Sequence, residues 1–302
     1  MDKIFQKICN AFPHYKLDTF LKKKVFYFVF SIIKFFLKGP FVLTYKNFKF
    51  FAYPQKKDYS RSLLTKINLH DESEINFLIN NIDNNSILLD CGANQGFYSI
   101  PIAGSHRNCE IFAFEPSEQE IHLLKKNIKL NDFNNITPLK IAIAEKEGNF
   151  KFKNDNIEFH STKGGFIIDK NENDESNTSL VKTTTIDKFI QEKNIPKNKK
   201  IFIKIDLEGY DINAIYGSKD VLNEYFTIIL FEFSKMAIKN SIYNIESFQN
   251  FLIDNNLLIL DINLRKLTLL DLHKKIDALE KKLDVLGNFL ILKEKNYTLL
   301  KI

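Results

Sequence analysis

"LLDCGANQGFYSI", residues 88–100, drives a short apolar run into Asp90 and then places two of the chain's 10 glycines, Gly92 and Gly96, in quick succession. An apolar run that ends in an acid and a glycine turn is the form of a buried strand handing over to a helix. Glycine permits φ > 0 there and lets a bulky ligand approach the main chain. In an open parallel sheet such a turn lies at the carboxyl ends of the strands, where ligands bind and where the next helix offers unpaired N–H groups. The spacing is Asp90-x-Gly92-x-x-x-Gly96, not the G-x-G-x-x-G that seats a pyrophosphate on a helix N-terminus.

Outward from this turn the pattern repeats. Ser86–Cys91, Glu110–Phe114, Ile136–Ala144, Ile201–Asp206, Phe226–Phe233, 257–262 and Phe289–Lys293 read as strands. Helices are expected at 71–82, Phe97–Gly104, Glu118–Leu130, Asp211–Glu224, 244–255 and, charged and amphipathic, 271–286. Asn127 and Asn131 close the helix over 118–130, where asparagine serves a left-handed cap. This alternation predicts an α/β fold, a mostly parallel seven-stranded sheet flanked by helices. It is interrupted over 148–182, where short strands surround the polar stretch "DKNENDESNTS", an insertion placed to act as a lid. Residues 1–69 read as a helical, aromatic-rich extension, and 70–302 as the main domain.

A chain of 302 residues with 44% hydrophobic side chains buries a full core. Its net charge of +6 comes from lysine, and its arginines, Arg61, Arg107 and Arg265, are scattered. Bidentate reading of phosphates and bases favours arginine, so nucleic acid is not an expected partner. Cys9, Cys91 and Cys109 are odd in number and widely spaced, which fits buried thiols in a reducing compartment and a cytoplasmic location. No His/Cys cluster has zinc spacing. Val25–Leu37 is apolar behind Lys22, Lys23 and Lys24, but it has 13 residues and contains Lys34. It is short of the roughly 20 residues a spanning helix needs. Three readings stand: a helix packed on the main domain, an interfacial helix that gives residues 22–38 a peripheral contact with the inner face of the membrane, or, last, a spanning segment.

Asp90 at a strand end suits a cationic ligand, because a carboxylate beside a phosphate is repelled. Twenty-five residues on, "IFAFEPS" ends a strand with Glu115, placed to accept both hydroxyls of a ribose. S-adenosylmethionine carries an ammonium, a sulfonium and a ribose but no phosphate, and it answers both features; the alternatives are a nicotinamide or nucleotide ligand, and an Asp90 that simply caps the next helix. Candidate contacts for S-adenosylmethionine are Asp90, Gly92, Asn94, Gly96, Phe97, Glu115, Pro116 and Ala142, the last through its backbone near the adenine.

The chain resembles the FkbM family of S-adenosylmethionine-dependent methyltransferases. The residues that carry the likeness are "LLDCGANQGFYSI" (88–100), "FAFEPS" (112–117), "LKKNIKLND" (124–132), "TTTIDKFI" (183–190), "IKIDLEGYDINAIYGSKDVL" (203–222) and "ILFEFS" (229–234). The resemblance implies a Rossmann-like methyltransferase fold and O-methylation, often of sugars in glycans, polysaccharides or natural products. Asp211 stands where the family more often shows glutamate.

"IFIKIDLEGYD" sets Lys204, Asp206, Glu208 and Asp211 at the end of the fourth strand. Alternation puts Lys204 and Asp206 on one side and sends Ile203 and Ile205 into the core. A sugar hydroxyl is a weak acid, so a base is required: Asp206 is the leading candidate, Glu208 the second, with Lys204 tuning or orienting. The acids can alternatively hold Mg²⁺, or Glu208 and Asp211 can cap the next helix while Lys204 pairs with one of them. Glu232 in "LFEFS" lines the acceptor pocket or its rim, and His160 belongs to the insertion, as a base or as a solvated loop residue. Against the enzyme stand a non-catalytic binding module on the same fold and a membrane-associated scaffold.

Overall fold

The computed structural model describes residues 40–53, 71–153, 178–234, 237–238, 241–268, 270–272, 274 and 285–301. Residues 148–182 are described only at their two ends, and His160 and Val25–Leu37 lie outside the described residues.

The main sheet uses seven strands: β3 (Ser86–Cys91), β4 (Glu110–Phe114), β5 (Ile136–Leu139), β9 (Lys200–Ile205), β10 (Phe226–Ser234), β11 (Leu257–Asp261) and β12 (Val285–Lys293). Their order is β11-β12-β10-β9-β3-β4-β5. β12 runs antiparallel to both neighbours, and the other pairings are parallel. From β3 the chain builds towards one edge through β4 and β5, then returns to β9 and builds the other way. The order therefore reverses between β3 and β9, the place where open sheets bind ligands at their carboxyl ends.

Period-2 alternation divides the sheet residues between two cores. On one face Leu88, Phe202 and Leu230 meet α1 (Glu72–Asn81), α2 (Ser99–Ser105) and α3 (Glu118–Leu130) through Leu78, Ile100 and Leu124. On the other, Leu89, Ile203 and Ile229 meet α4 (Ile186–Glu192), α5 (Asp211–Tyr216), α6 (Lys219–Glu224) and α7 (Ile245–Asp254) through Phe189, Ile212, Leu222 and Phe248. A short α8 (Glu294–Tyr297) closes the chain.

Four elements differ from the sequence expectation. The extension, read as helical, forms a hairpin over its described part, β1 (Phe41–Tyr45) paired antiparallel with β2 (Phe48–Ala52). Leu43, Tyr45, Phe50 and Ala52 are buried while Val42 and Thr44 face out, a period-2 pattern that the density of aromatics disguised. The strand expected over Ile136–Ala144 breaks after Leu139. Ala142–Ile143 forms β6 of a separate sheet, in the order β6-β8-β7, with β7 (Gly148–Lys153) and β8 (Thr178–Thr184). Pro138 cannot donate to a ladder and so suits the edge strand it occupies.

The single helix expected over Asp211–Glu224 is two, broken at Gly217, where a Cβ would stand 2.6 Å from the Ala144 carbonyl oxygen. The second piece, α6, starts on the Asp187 carboxylate, which accepts from the N–H groups of Asp220 (3.0 Å) and Val221 (2.9 Å). Asp187→Ala is expected to cost about 1–2 kcal/mol, measurable by denaturant unfolding, because it strands two helix-start donors. Lastly, β12 begins four residues before the expected Phe289, so Val285 and Leu286 belong to a strand and not to the end of a 271–286 helix.

Candidate active site

The turn after β3 is fixed from two sides. The N–H groups of Gly92 (3.0 Å) and Ala93 (2.9 Å) both donate to the Phe114 carbonyl at the end of β4. Gly92 has φ +79°, and a Cβ on it would stand 2.0 Å from the Asp206 carbonyl oxygen, so no other residue fits between β3 and β9. Asn94 takes φ +48° without being glycine. That conformation aims its N–H at Glu115 Oε2, 2.9 Å away, while Ser117 N–H donates to Oε1 at 2.8 Å. Pro116, between them, has no N–H to offer.

Glu115 is 6% exposed, and burial pushes it up to about 7 despite its backbone donors and the more distant Lys204. Each of its oxygens keeps an unused lone pair, which leaves the carboxylate able to accept two further hydroxyls. Asn94 Oδ1 and Asp90 Oδ1 are buried with no hydrogen-bond partner among the described residues. An acid with spare acceptor capacity, the unpartnered Asn94 Oδ1 and a turn closed to side chains fit a ligand with vicinal hydroxyls and hydrogen-bond donors. The residues present thus fit S-adenosylmethionine.

The second constellation lies beside the first because Asp90 and Lys204 are register partners on neighbouring strands. Lys204 is 4% exposed. Its Nζ donates to the Gly92 carbonyl at 2.9 Å, pairs with Asp206 Oδ2 at 3.3 Å and Asp90 Oδ1 at 3.6 Å, and lies 5.0 Å from the centre of the Tyr98 ring. Burial opposes its charge, but Asp206 and Asp90 outweigh it and hold the ammonium well above the usual lysine range. Asp90 is fully buried, with Ser99 Oγ donating to its Oδ2 at 2.5 Å. Its carboxylate thus serves Lys204 and Ser99 rather than an exposed surface.

The loop after β9 is held by Asp211, which accepts from Leu207 N–H and Gly209 N–H, both at 3.1 Å. Those bonds sustain φ +51° at Glu208 and +103° at Gly209. Asp211 is therefore the local brace of the loop, and Lys204 pairs with Asp90 and Asp206 rather than with Glu208 or Asp211. Glu208 is pushed up to about 9 by burial and then by Asp206, Glu232 and Asp211. Burial, with Asp206 and Asp211 behind it, pushes Glu232 up to about 7, and burial with Asp206 does the same to Asp211.

The structure brings Asp90, Gly92, Asn94, Glu115, Lys204, Asp206 and Glu208 to one end of the sheet. Two expected cofactor residues turn their side chains elsewhere. Phe97 gives its ring to Phe50, stacked at 5.2 Å. Ala142 packs with Phe152 and Val181 in the small sheet. Tyr98 and Ser99, which frame Lys204 and Asp90, were not singled out from the sequence, although both stand in the same quoted stretch. Among the described residues no group of three or more His, Cys, Asp or Glu side chains is arranged to hold a metal ion. Mg²⁺ therefore has no support there, and no step is assigned to it.

Raised acid pKa values give a definite sign. Glu115, Glu232 and Asp211 contribute stability that is fully present below the unfolded range near 4 and is lost as pH rises through about 7. Hydroxyl donors favour the ionised form of Glu115, so ligand affinity runs the other way. Affinity for S-adenosylmethionine is expected to rise about tenfold from pH 6 to pH 8, with proton release visible by calorimetry in buffers of different ionisation enthalpy.

A model of the methyltransferase FkbM domain matches residues 90–257. Among curated proteins, tRNA(Phe) (4-demethylwyosine(37)-C(7)) aminocarboxypropyltransferase of Methanocaldococcus jannaschii is 29% identical over 84 residues, 28% of this chain and 32% of that one. The chain therefore spans about a third of the length of the curated relative it matches. Among solved structures, methyltransferase FkbM of Methylobacillus flagellatus KT is similar at 16% identity and TM-score 0.39, over 59% of this chain and 40% of that one. M. jannaschii TYW2, solved in complex with AdoMet, is similar at 14% identity and TM-score 0.39, over 73% and 75% of the two chains. Among the described residues no helix is long and apolar enough to cross a membrane.

Proposed function

The chain belongs to the FkbM methyltransferase family, and from that premise we propose that it transfers a methyl group from S-adenosylmethionine to a hydroxyl of a sugar in a glycan, polysaccharide or glycolipid precursor. The observation that carries the reading is the Lys204 ammonium held between Asp90 and Asp206, directly against the Gly92 turn. S-adenosylmethionine, when bound, supplies a methyl group on a sulfonium that is already a good leaving group. Gly92, Asn94 and Gly96 would hold it through the backbone of the turn, Glu115 through the ribose hydroxyls, and Pro116 and Ala142 through their backbone nearby.

What is left to the chain is orientation and removal of a proton. Asp206 accepts the proton of the acceptor hydroxyl, and Lys204 fixes the orientation of that carboxylate. Glu208, with its pKa well above neutrality, carries a proton at pH 7 and donates a hydrogen bond to a neighbouring acceptor oxygen. Two acids side by side thus divide the roles of base and donor, because only one of them faces the lysine.

Asp206 follows the end of β9 and Glu232 stands on the neighbouring β10, close enough for their charges to interact, so carboxyl groups line the mouth of the site. Carboxyl groups that keep protons near neutral pH offer hydrogen bonds to the hydroxyls of a neutral sugar and no positive charge to a polyphosphate or an RNA acceptor. A cytoplasmic enzyme with residues 22–38 at the inner face of the membrane would meet a glycolipid precursor. The test is transfer of a labelled methyl group to free glycans, glycolipids and tRNA in parallel. Label recovered as a sugar methyl ether supports the reading, and label confined to tRNA overturns the acceptor.

A further inference from the structure

The hairpin β1–β2 is bonded to the turn that carries the ligand site, and the bond runs through one side chain. Asn127 of α3 is fully buried. Its Oδ1 accepts from the backbone N–H of Phe51 in β2 at 2.8 Å, and its Nδ2 donates to the backbone carbonyl of Gln95 at 2.9 Å. One turn further along α3, Asn131 Oδ1 accepts from Lys49 N–H at 2.7 Å and its Nδ2 donates to the Lys49 carbonyl at 2.6 Å. Neither asparagine serves as the left-handed cap expected from the sequence: Asn131 has φ −102°, and Asp132 takes the positive value, 54°.

The spacing of the pair has a geometric reason. Four residues of helix advance about 6 Å and two residues of strand about 6.6 Å. Asparagines at i and i+4 on α3 therefore stay in step with residues j and j−2 on β2, which runs the opposite way, and they satisfy the strand edge that β1 leaves open.

Asn127 differs from Asn131 in what its second group reaches. Gln95 sits between Asn94, whose N–H holds Glu115, and Gly96. Its side chain is buried too, with Nε2 donating to Glu120 Oε2 at 2.9 Å. Phe97, two residues on, stacks on Phe50 of the hairpin. Two contacts thus run from β2 into the 94–97 segment, and one of them ends on the carbonyl beside the residue that orients Glu115.

We infer that Asn127 is a positioning residue for the cofactor turn, and that docking of the hairpin and binding of the cofactor stabilise each other through it. The inference rests on the reading that S-adenosylmethionine binds at this turn. Coupling of this kind is reciprocal, so it can be read from either side.

The test is hydrogen exchange of peptides covering 48–52 in the full chain, with and without S-adenosylhomocysteine, beside a calorimetric titration of the same samples. In the wild type the ligand is expected to slow exchange across the hairpin about fivefold or more. Asn127→Ala is expected to bind about tenfold more weakly and, at saturation, to lose the slowing at the hairpin. A purely structural asparagine would alter the melting temperature and leave that slowing in place. Equal affinity and equal slowing in the variant would overturn the inference. Should Asn127→Ala not fold, the wild-type exchange decides alone: ligand binding that leaves the hairpin unchanged also overturns it. A wild type that does not bind S-adenosylhomocysteine at all would instead remove the reading on which the inference stands, and the titration separates that case.

Discussion

Asp206→Asn is expected to lower turnover about a hundredfold or more while leaving affinity for S-adenosylmethionine within about twofold of the wild type. Asparagine has nearly the shape of aspartate but cannot take a proton, so the loss falls on the chemical step. Lys204 would retain Asp90 at 3.6 Å and the Gly92 carbonyl at 2.9 Å, which keeps the ammonium partnered and the turn in place. Glu208 keeps its proton in the wild type partly because of the Asp206 charge, so in the variant it ionises at lower pH than in the wild type and becomes the nearest substitute base. Some activity is therefore expected to return as pH rises and Glu208 ionises, giving the variant a pH profile of its own. Turnover and profile both unchanged would remove Asp206 from the mechanism.

Glu115→Ala is expected to weaken binding of S-adenosylmethionine about 30-fold, on the order of 2 kcal/mol, with little change in turnover at saturation. Two losses add. The ribose hydroxyls lose a charged acceptor, and the N–H groups of Asn94 and Ser117 lose the carboxylate that orders them. Because Asn94 holds φ +48°, a conformation that few side chains accept, the turn depends on that bond more than a glycine there would. Calorimetry that returned wild-type affinity would show that another acid receives the ribose.

Much of this arrangement was legible in the sequence. Ser86–Cys91 and Glu110–Phe114 coincide with their expected bounds, since a fully buried parallel strand is a continuous apolar run with sharp polar ends. The pairing of Lys204 with Asp206 followed from alternation along one strand. The pairing of Lys204 with Asp90 did not, because it depends on the lateral register of β3 and β9, which no local pattern encodes. The hairpin was missed for a related reason. "FVLTYKNFKF" alternates, but its aromatics also satisfy a helical reading, and the asparagines that hold it lie more than 70 residues away on α3. The break at Gly217 likewise arises from a tertiary approach to Ala144 and left no mark beyond the glycine itself.

The central claim is that the Asp90–Glu115 end of the sheet binds S-adenosylmethionine rather than a phosphate-bearing nucleotide. Titration calorimetry of the full chain with S-adenosylmethionine, S-adenosylhomocysteine and NAD tests it most directly. Micromolar binding of the first two, with affinity rising from pH 6 to pH 8, and no binding of NAD is the predicted result. Binding of NAD, or of none of the three, would contradict it and would leave a methyltransferase fold whose site serves another ligand.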